Sequence, residues 1–176
     1  MALFYFCGGK DQVPKQKVEE VPLKNISKKM YNVARIELGT TVIVEKGLYK
    51  YGLYGLRLNN DPNTILNDNL SPGDCLAIQN DSGLIKINFK AKMVFSRIGI
   101  YHPETGNQES AVKEFEVLGE DDTVLGKFIY DVNKSKYQSF DFTPTNTNSI
   151  RIKILSNNGC KKYTTLYKMF VYGKFE

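Results

Sequence analysis

The chain has 176 residues, of which 41% are hydrophobic and 24% charged. That is enough for one domain with its own core, and too ordinary a mixture for a disordered chain or a membrane-embedded bundle. The net charge of +5 is concentrated early: residues 1–31 carry six lysines against three acidic residues, and residues 32–176 carry eighteen basic against sixteen acidic ones. A nearly balanced body argues against a groove that tracks phosphates, so no nucleic-acid partner is expected.

In chain order, Ala2 to Cys7 (ALFYFC) is apolar but far shorter than the roughly 20 residues a spanning helix needs. It has neither the basic flank nor the cleavage site of a signal peptide, so no membrane anchor is visible in this chain. Residues 8–31 are polar and twice broken by proline. They read as the outer part of an N-terminal arm, residues 1–31, with room for a short helix near Pro22 to Met30 and no heptad for a long coiled coil.

From Asn32 onward short β-branched and aromatic runs alternate with Gly, Asn, Asp and Pro, the pattern of an all-β sandwich over residues 32–176. Gly83 to Phe89 alternates cleanly, with Ile85, Ile87 and Phe89 on one face and Lys86 and Asn88 on the other. Further strands are predicted at Ser96 to Tyr101, Glu114 to Leu118, Val124 to Tyr130, Gln138 to Phe142, Ser149 to Leu155 and Thr164 to Tyr172. Two packed sheets would bury the inward faces.

The chemical inventory is thin. Cys7, Cys75 and Cys160 are far apart, and His102 is the sole histidine, so no zinc spacing or thiol–imidazole pair is present. Gly8-Gly9 lacks the rest of a phosphate loop, and Asp121-Asp122 has the setting of a hairpin turn. No nucleophile, base and orienter can be named together. A noncatalytic module is therefore expected.

The last third, SIRIKILSNNGCKKYTTLYKMFVYGKF (residues 149–175), resembles the C-terminal signature of SUN domains, in which an alternating strand leads through Ser-Asn-x-Gly to Tyr-Thr-x-Leu-Tyr and a final strand. Three upstream segments match in the same order: Ser71-Pro72-Gly73-Asp74-Cys75-Leu76-Ala77 with Gly83 beyond it, Ser110-Ala111-Val112-Lys113-Glu114-Phe115, and Leu125-Gly126-Lys127-Phe128-Ile129-Tyr130. The resemblance runs over roughly residues 32–175. It implies a SUN-type β-sandwich, jelly-roll-like and akin to galactose-binding modules, that trimerises in the nuclear-envelope or endoplasmic-reticulum lumen. There it would grip the C-terminal tail of a KASH-like membrane protein, bridging nucleus and cytoskeleton. SUN-like proteins with other partners, and carbohydrate binding on the shared fold, are the alternatives, although no Trp is available as a sugar platform. The sequons at Asn25, Asn80 and Asn133 are compatible with a lumenal location.

Carried over by motif, the resemblance implies that Ser110 and Tyr167 donate to the tail's carboxylate, that Tyr163 packs on the peptide, and that Gly83 permits close backbone approach. Anchoring on Pro103 puts Tyr101, as a sheet-packing residue, where the family has a pocket histidine in a His-x-Pro segment; His102 follows one residue further along as a loop or strand-end histidine, unless the register slips by one. The lid that clamps the peptide would be short, an aromatic hairpin using Tyr49, Tyr51, Leu53 and Tyr54. A loop over residues 64–75 would wrap a monovalent cation, potassium or sodium, through backbone carbonyls, with Asn67, Asn69 and Asp74 as weak side-chain candidates whose plainer role is turn capping. Cys75 matches a family cysteine whose disulfide partner position holds Thr165. Pairing with Cys160 instead would need Cα atoms within about 7 Å, so all three thiols are expected free.

Overall fold

Alternating β-branched and aromatic residues make strands with one face that must be covered. The computed structural model, which describes residues 29–49, 52–53, 56–57, 61–71 and 73–175, is built almost wholly from such strands. They are β1 (Tyr31–Asn32), β2 (Thr41–Lys46), β3 (Gly52–Leu53), β4 (Leu56–Arg57), β5 (Leu76–Gln79), β6 (Gly83–Tyr101), β7 (Glu114–Leu118), β8 (Val124–Ile129), β9 (Tyr137–Ile154), β10 (Tyr163–Leu166) and β11 (Lys168–Lys174). The main sheet runs β1-β11-β6-β9-β7-β8 with β2 added on β6, while β10–β5 and β3–β4 form separate antiparallel pairs.

β6 and β9 are long, 19 and 18 residues, and each joins two runs that the alternation separates. The polar stretch Lys90-Ala91-Lys92 interrupts the hydrophobic pattern of β6, yet the strand continues through register shifts between Asn88 and Met93 and between Phe95 and Arg97. Ile85, Ile87, Phe89, Met93 and Phe95 face the core before the second shift, and Ile98 and Ile100 after it. A one-residue slip exchanges the two faces, so the bulge re-aims the strand without ending it. The first half of β6 pairs with β2 and the last part of β9; the second half pairs with β11 and the first part of β9.

One continuous core holds Ile87, Phe95, Phe115, Ile152 and Met169 with their neighbours. Three short 3-10 turns, Ile36–Leu38, Pro62–Leu66 and Gln108–Ser110, carry no periodic signal in the sequence. Tyr31, placed in the arm by its composition, pairs with Gly173 in the sheet. The helix expected near Pro22 to Met30 lies outside the described residues except for Lys29 and Met30, which are not helical. Among the described residues no helix is long and apolar enough to cross a membrane.

The segment expected as one strand from Thr164 to Tyr172 divides at Tyr167. β10 pairs with β5, and β11 leaves to pair with β6. Tyr167 thus sits at a crossover between two sheets, beside the loops that precede β5 and follow β6.

Candidate functional site

The site region is organised by short polar side chains that replace missing backbone partners. Asn157 donates its amide to the carbonyl of Cys160 at 2.7 Å, to the carbonyl of Tyr163 at 3.2 Å and to Thr164 Oγ1 at 3.0 Å. Its own Oδ1 accepts from the Gly159 amide at 2.9 Å, where Gly159 adopts φ 129°, a conformation costly for any other residue. Asn158 Nδ2 donates to the Ala111 carbonyl at 3.0 Å, tying the turn to the segment after Ser110. Bridges Ala111–Thr165 and Val112–Asn157 complete the junction. The Ser-Asn-Asn-Gly run therefore builds the floor that brings the Ser110 and Tyr163–Tyr167 segments together.

Ser110 has no exposed surface. Its hydroxyl lies 2.7 Å from the Asn107 carbonyl and 2.8 Å from Thr165 Oγ1. The residue that stands where the family has a cysteine thus serves as a hydrogen-bond partner to Ser110, and Cys75 and Cys160 are both free thiols. At Gly83 a Cβ would fall 2.5 Å from Ile78 Cγ2 and 3.0 Å from the Lys46 carbonyl, so the glycine permits a close contact within its own chain.

Tyr167 is 5% exposed, and its ring meets the ring of His102 edge to face with centroids 5.0 Å apart. This corrects the anchoring on Pro103, which put Tyr101 in the pocket. Tyr101 is opposite Lys168 and Tyr137 in the sheet, on the face away from the core, whereas His102 turns inward at the end of β6 and its amide is held by the Lys136 carbonyl at 3.0 Å. Burial pushes the His102 imidazole down to about 4, against a smaller upward pull from the Asn107 backbone. Its Nε2 is buried with no hydrogen-bond partner among the described residues. A Cβ on Gly106 would come within 3.0 Å of that nitrogen and 3.2 Å of Tyr167 Oη, so Gly106 caps both polar atoms. Gln108 shapes the cap by donating Nε2 to the carbonyls of Pro103, Glu104 and Gly106 at 2.8, 3.2 and 3.0 Å.

On its other side the Tyr167 hydroxyl interacts with the Cys75 thiol and the Gly73 backbone; burial raises the hydroxyl above its ordinary range. Burial also raises the thiol, with the Tyr167 hydrogen bond working against it. Tyr163 meets Tyr49 edge to face at 5.7 Å, so one lid aromatic reaches the expected groove. β3 and β4 pair Leu53 with Leu56 as a stub of the hairpin, and Tyr51 and Tyr54 lie outside the described residues. Val42 to Val44 belong to β2 in the main sheet.

The loop before β5 holds its polar groups against one another. Asn69 donates its amide to Asp74 Oδ2 at 2.6 Å and accepts from the Ser71 amide and hydroxyl at 3.2 and 2.9 Å. The Asn67 carbonyl accepts from Lys168 Nζ at 3.0 Å, and Lys168 pairs with the Asp68 carboxylate. Among the described residues the Asn69 and Asp74 side chains cap a turn, and the Lys168 ammonium lies at the Asn67–Asp68 end. The sequence names His102, Asn157 and Thr165 without giving them these contacts, and it does not single out Gly106, Gln108 and Lys168. The His-Pro step directly after an apolar strand was the available signal for His102.

A family model described as "Sad1 / UNC-like C-terminal" matches residues 56–175. The mouse "Sperm-associated antigen 4 protein" is 35% identical over 125 residues, covering 64% of this chain and 28% of that protein. The mouse "SUN domain-containing protein 3" is 30% identical over 172 residues, covering 88% of this chain and 54% of that protein. The chain thus spans about half or less of these relatives' lengths. Among solved structures, the family 32 carbohydrate-binding module of Streptococcus pneumoniae EndoD superposes with a TM-score of 0.61 at 17% identity, over 82% of this chain and 100% of that one. A second such module, from Clostridium perfringens NanJ in complex with galactose, gives 0.61 at 14% identity, over 82% and 99%. At these identities the likeness is one of fold.

Proposed function

Since the chain belongs to the Sad1/UNC-like C-terminal family, the SUN domains, we propose that it is a noncatalytic receptor for the C-terminal tail of a KASH-like membrane protein, acting in the lumen of the nuclear envelope. The observation that carries this reading is the Tyr167–His102 pair. A buried imidazole nitrogen without a partner costs free energy unless some ligand or movement completes it, and here it lies beside a phenol under the one residue with no side chain, Gly106. Displacement of the 103–108 loop would open the Tyr167 phenol as a donor to a terminal carboxylate, while the neutral His102 Nε2, an acceptor, would take an N–H of the peptide, with Tyr163 and Tyr49 flanking the peptide as aromatic walls. Ser110 supports the same segment through Asn107 and Thr165, and in this reading it acts on the tail through the loop.

The test is a panel of lumenal-tail octapeptides, each with a free or an amidated C-terminus, titrated onto the domain. Free acids should bind at least about tenfold more tightly than amides, and Tyr167→Phe should remove most of that difference. Equal binding of acid and amide would rule out the carboxylate pocket. A glycan array run in parallel addresses the sugar-binding modules that share the fold. Self-association into a weak homotrimer belongs to the same proposal, supported by an apolar groove of about 720 Å³ between β1 and the Phe89–Met93 bend, rimmed by exposed Tyr31, Leu38 and Phe175. Sedimentation at rising concentration should show association, and a strictly monomeric profile would remove it.

A further inference from the structure

Lys168 is the anomaly of β11. It is 4% exposed, on a strand whose other buried residues, Met169, Val171 and Gly173, face the core, while Lys168 shares the opposite face with Phe170 and Tyr172. An ammonium hidden from water must have its charge and its donors answered. It is answered by a loop. Nζ donates to the Asn67 carbonyl at 3.0 Å and pairs with the Asp68 carboxylate, and it lies 5.3 Å from the Phe170 ring centroid. Asp68 itself is largely exposed, so this loop residue is held from beneath by the strand.

The neighbouring residues of the same segment hold the rest of that loop. Leu166 pairs with Leu76 where the loop enters β5, Tyr167 interacts with Gly73 and Cys75, and Lys168 takes Asn67 and Asp68. Three consecutive residues therefore fasten the loop from its end to its beginning. Before it, the turn Pro62–Leu66 is fixed independently: Asp61 accepts from the Asn63 amide at 2.9 Å, and Asn63 Oδ1 accepts from the Val42 amide at 2.9 Å. Between those anchors, the positive charge of Lys168 Nζ is held at the loop's own backbone.

We infer that Lys168 is the built-in cation of the 67–75 loop: its ammonium takes the place that a bound potassium or sodium ion would fill, and it positions the loop against Tyr167. A free monovalent cation drawn to the Asn67 carbonyl would meet the Lys168–Asp68 ion pair already there and would have to displace the ammonium from that oxygen. The loop, and with it the Cys75–Gly73 side of the Tyr167 hydroxyl, is consequently set by the chain itself and not by the salt around it. The effect on tail binding rests on the function proposed above; the effect on the loop does not.

The experiment separates the two. Thermal melting and hydrogen exchange of residues 67–75 are measured for the parent chain in potassium chloride, sodium chloride and N-methylglucamine chloride at equal ionic strength. Melting temperatures should agree within about 1 °C and loop exchange should be the same in all three. Lys168→Met should speed exchange of the Asp74 and Cys75 amides by at least about tenfold in every salt, and the exposed-site change Asp68→Asn should do so to a smaller degree without threatening the fold. Should Lys168→Met fail to fold, Asp68→Asn and the salt series still decide. A parent chain that melts several degrees lower, or whose loop loosens, in N-methylglucamine would overturn the inference by showing that an external cation is required. Unchanged loop exchange in both variants would overturn it too. Free-acid octapeptide affinity, measured alongside, should fall in Lys168→Met; if the parent binds no tail while the loop results stand, the receptor proposal falls and the internal cation remains.

Discussion

The β6–β9 scaffold and the corner around Tyr167 are held together by different physics. The scaffold is a period-two hydrophobic surface: Ile85, Ile87, Ile150 and Ile152 repeat one contact, and loss of any one leaves the others in place. In the corner, Asn157, Asn158, Gln108, Ser110, Thr165 and Lys168 each make hydrogen bonds of their own kind instead of repeating one contact. Apolar burial sets how stable the domain is, and single polar side chains set where the loops lie. Stability and site geometry should therefore be separable by mutation.

The largest effect expected is in the scaffold. Phe95 is fully buried and stacks on Phe89 at 4.3 Å, so Phe95→Ala should cost about 3–5 kcal/mol in chemical denaturation while leaving tail affinity unchanged in the folded fraction. Next comes Asn157→Ala, which leaves the Cys160 and Tyr163 carbonyls without their side-chain donor. A loss of about 1–3 kcal/mol is expected, together with weakened tail binding. If binding were untouched, the corner would not be organised as described.

The pH dependence sharpens the contrast further. Burial holds the folded-state pKa of His102 at about 4 against an ordinary 6.5, so between those values the unfolded chain binds a proton that the folded chain refuses. The stabilisation is complete above pH 6.5 and is lost as pH falls toward 4, roughly 1–3 kcal/mol in all. His102→Gln should flatten that part of the stability–pH curve, and an unchanged slope would assign it to other groups. The smallest effect is expected at the exposed Arg97–Asp141 pair, 2.6 Å apart: Asp141→Asn should change stability by under about 1 kcal/mol despite its good geometry.

The same division explains what the sequence discloses. Strand faces are legible because each repeats a simple rule several times, as Ile150-Arg151-Ile152-Lys153-Ile154 does. The continuity of β6 is not, because the bulge after Phe95 reverses parity and Lys90-Ala91-Lys92 reads as a break. Tyr163 and Tyr167 were placed by motif, but the split between β10 and β11 at Tyr167 follows from which sheets accept each half, a long-range choice. Spacing from Pro103 selects Tyr101, whereas strand-end geometry decides that the side chain turning inward against Tyr167 is that of His102. Lys168 could not be found at all from its own neighbourhood: its partners lie 100 and 101 positions away.

β6 and β9 also have a mechanical meaning. They lie antiparallel along nearly their whole length, from Gly83 opposite Ile154 to Tyr101 opposite Tyr137, and 19 residues of strand extend over about 60 Å at the usual rise. A tug that drags one strand lengthwise past the other loads many of their rungs at once, whereas a pull across the sheet would open them one after another like a zip. For a domain proposed to stand between a tail and whatever anchors it, resistance then depends on the direction of the load. A lengthwise force meets the whole ladder, and a crosswise one meets only its last rung.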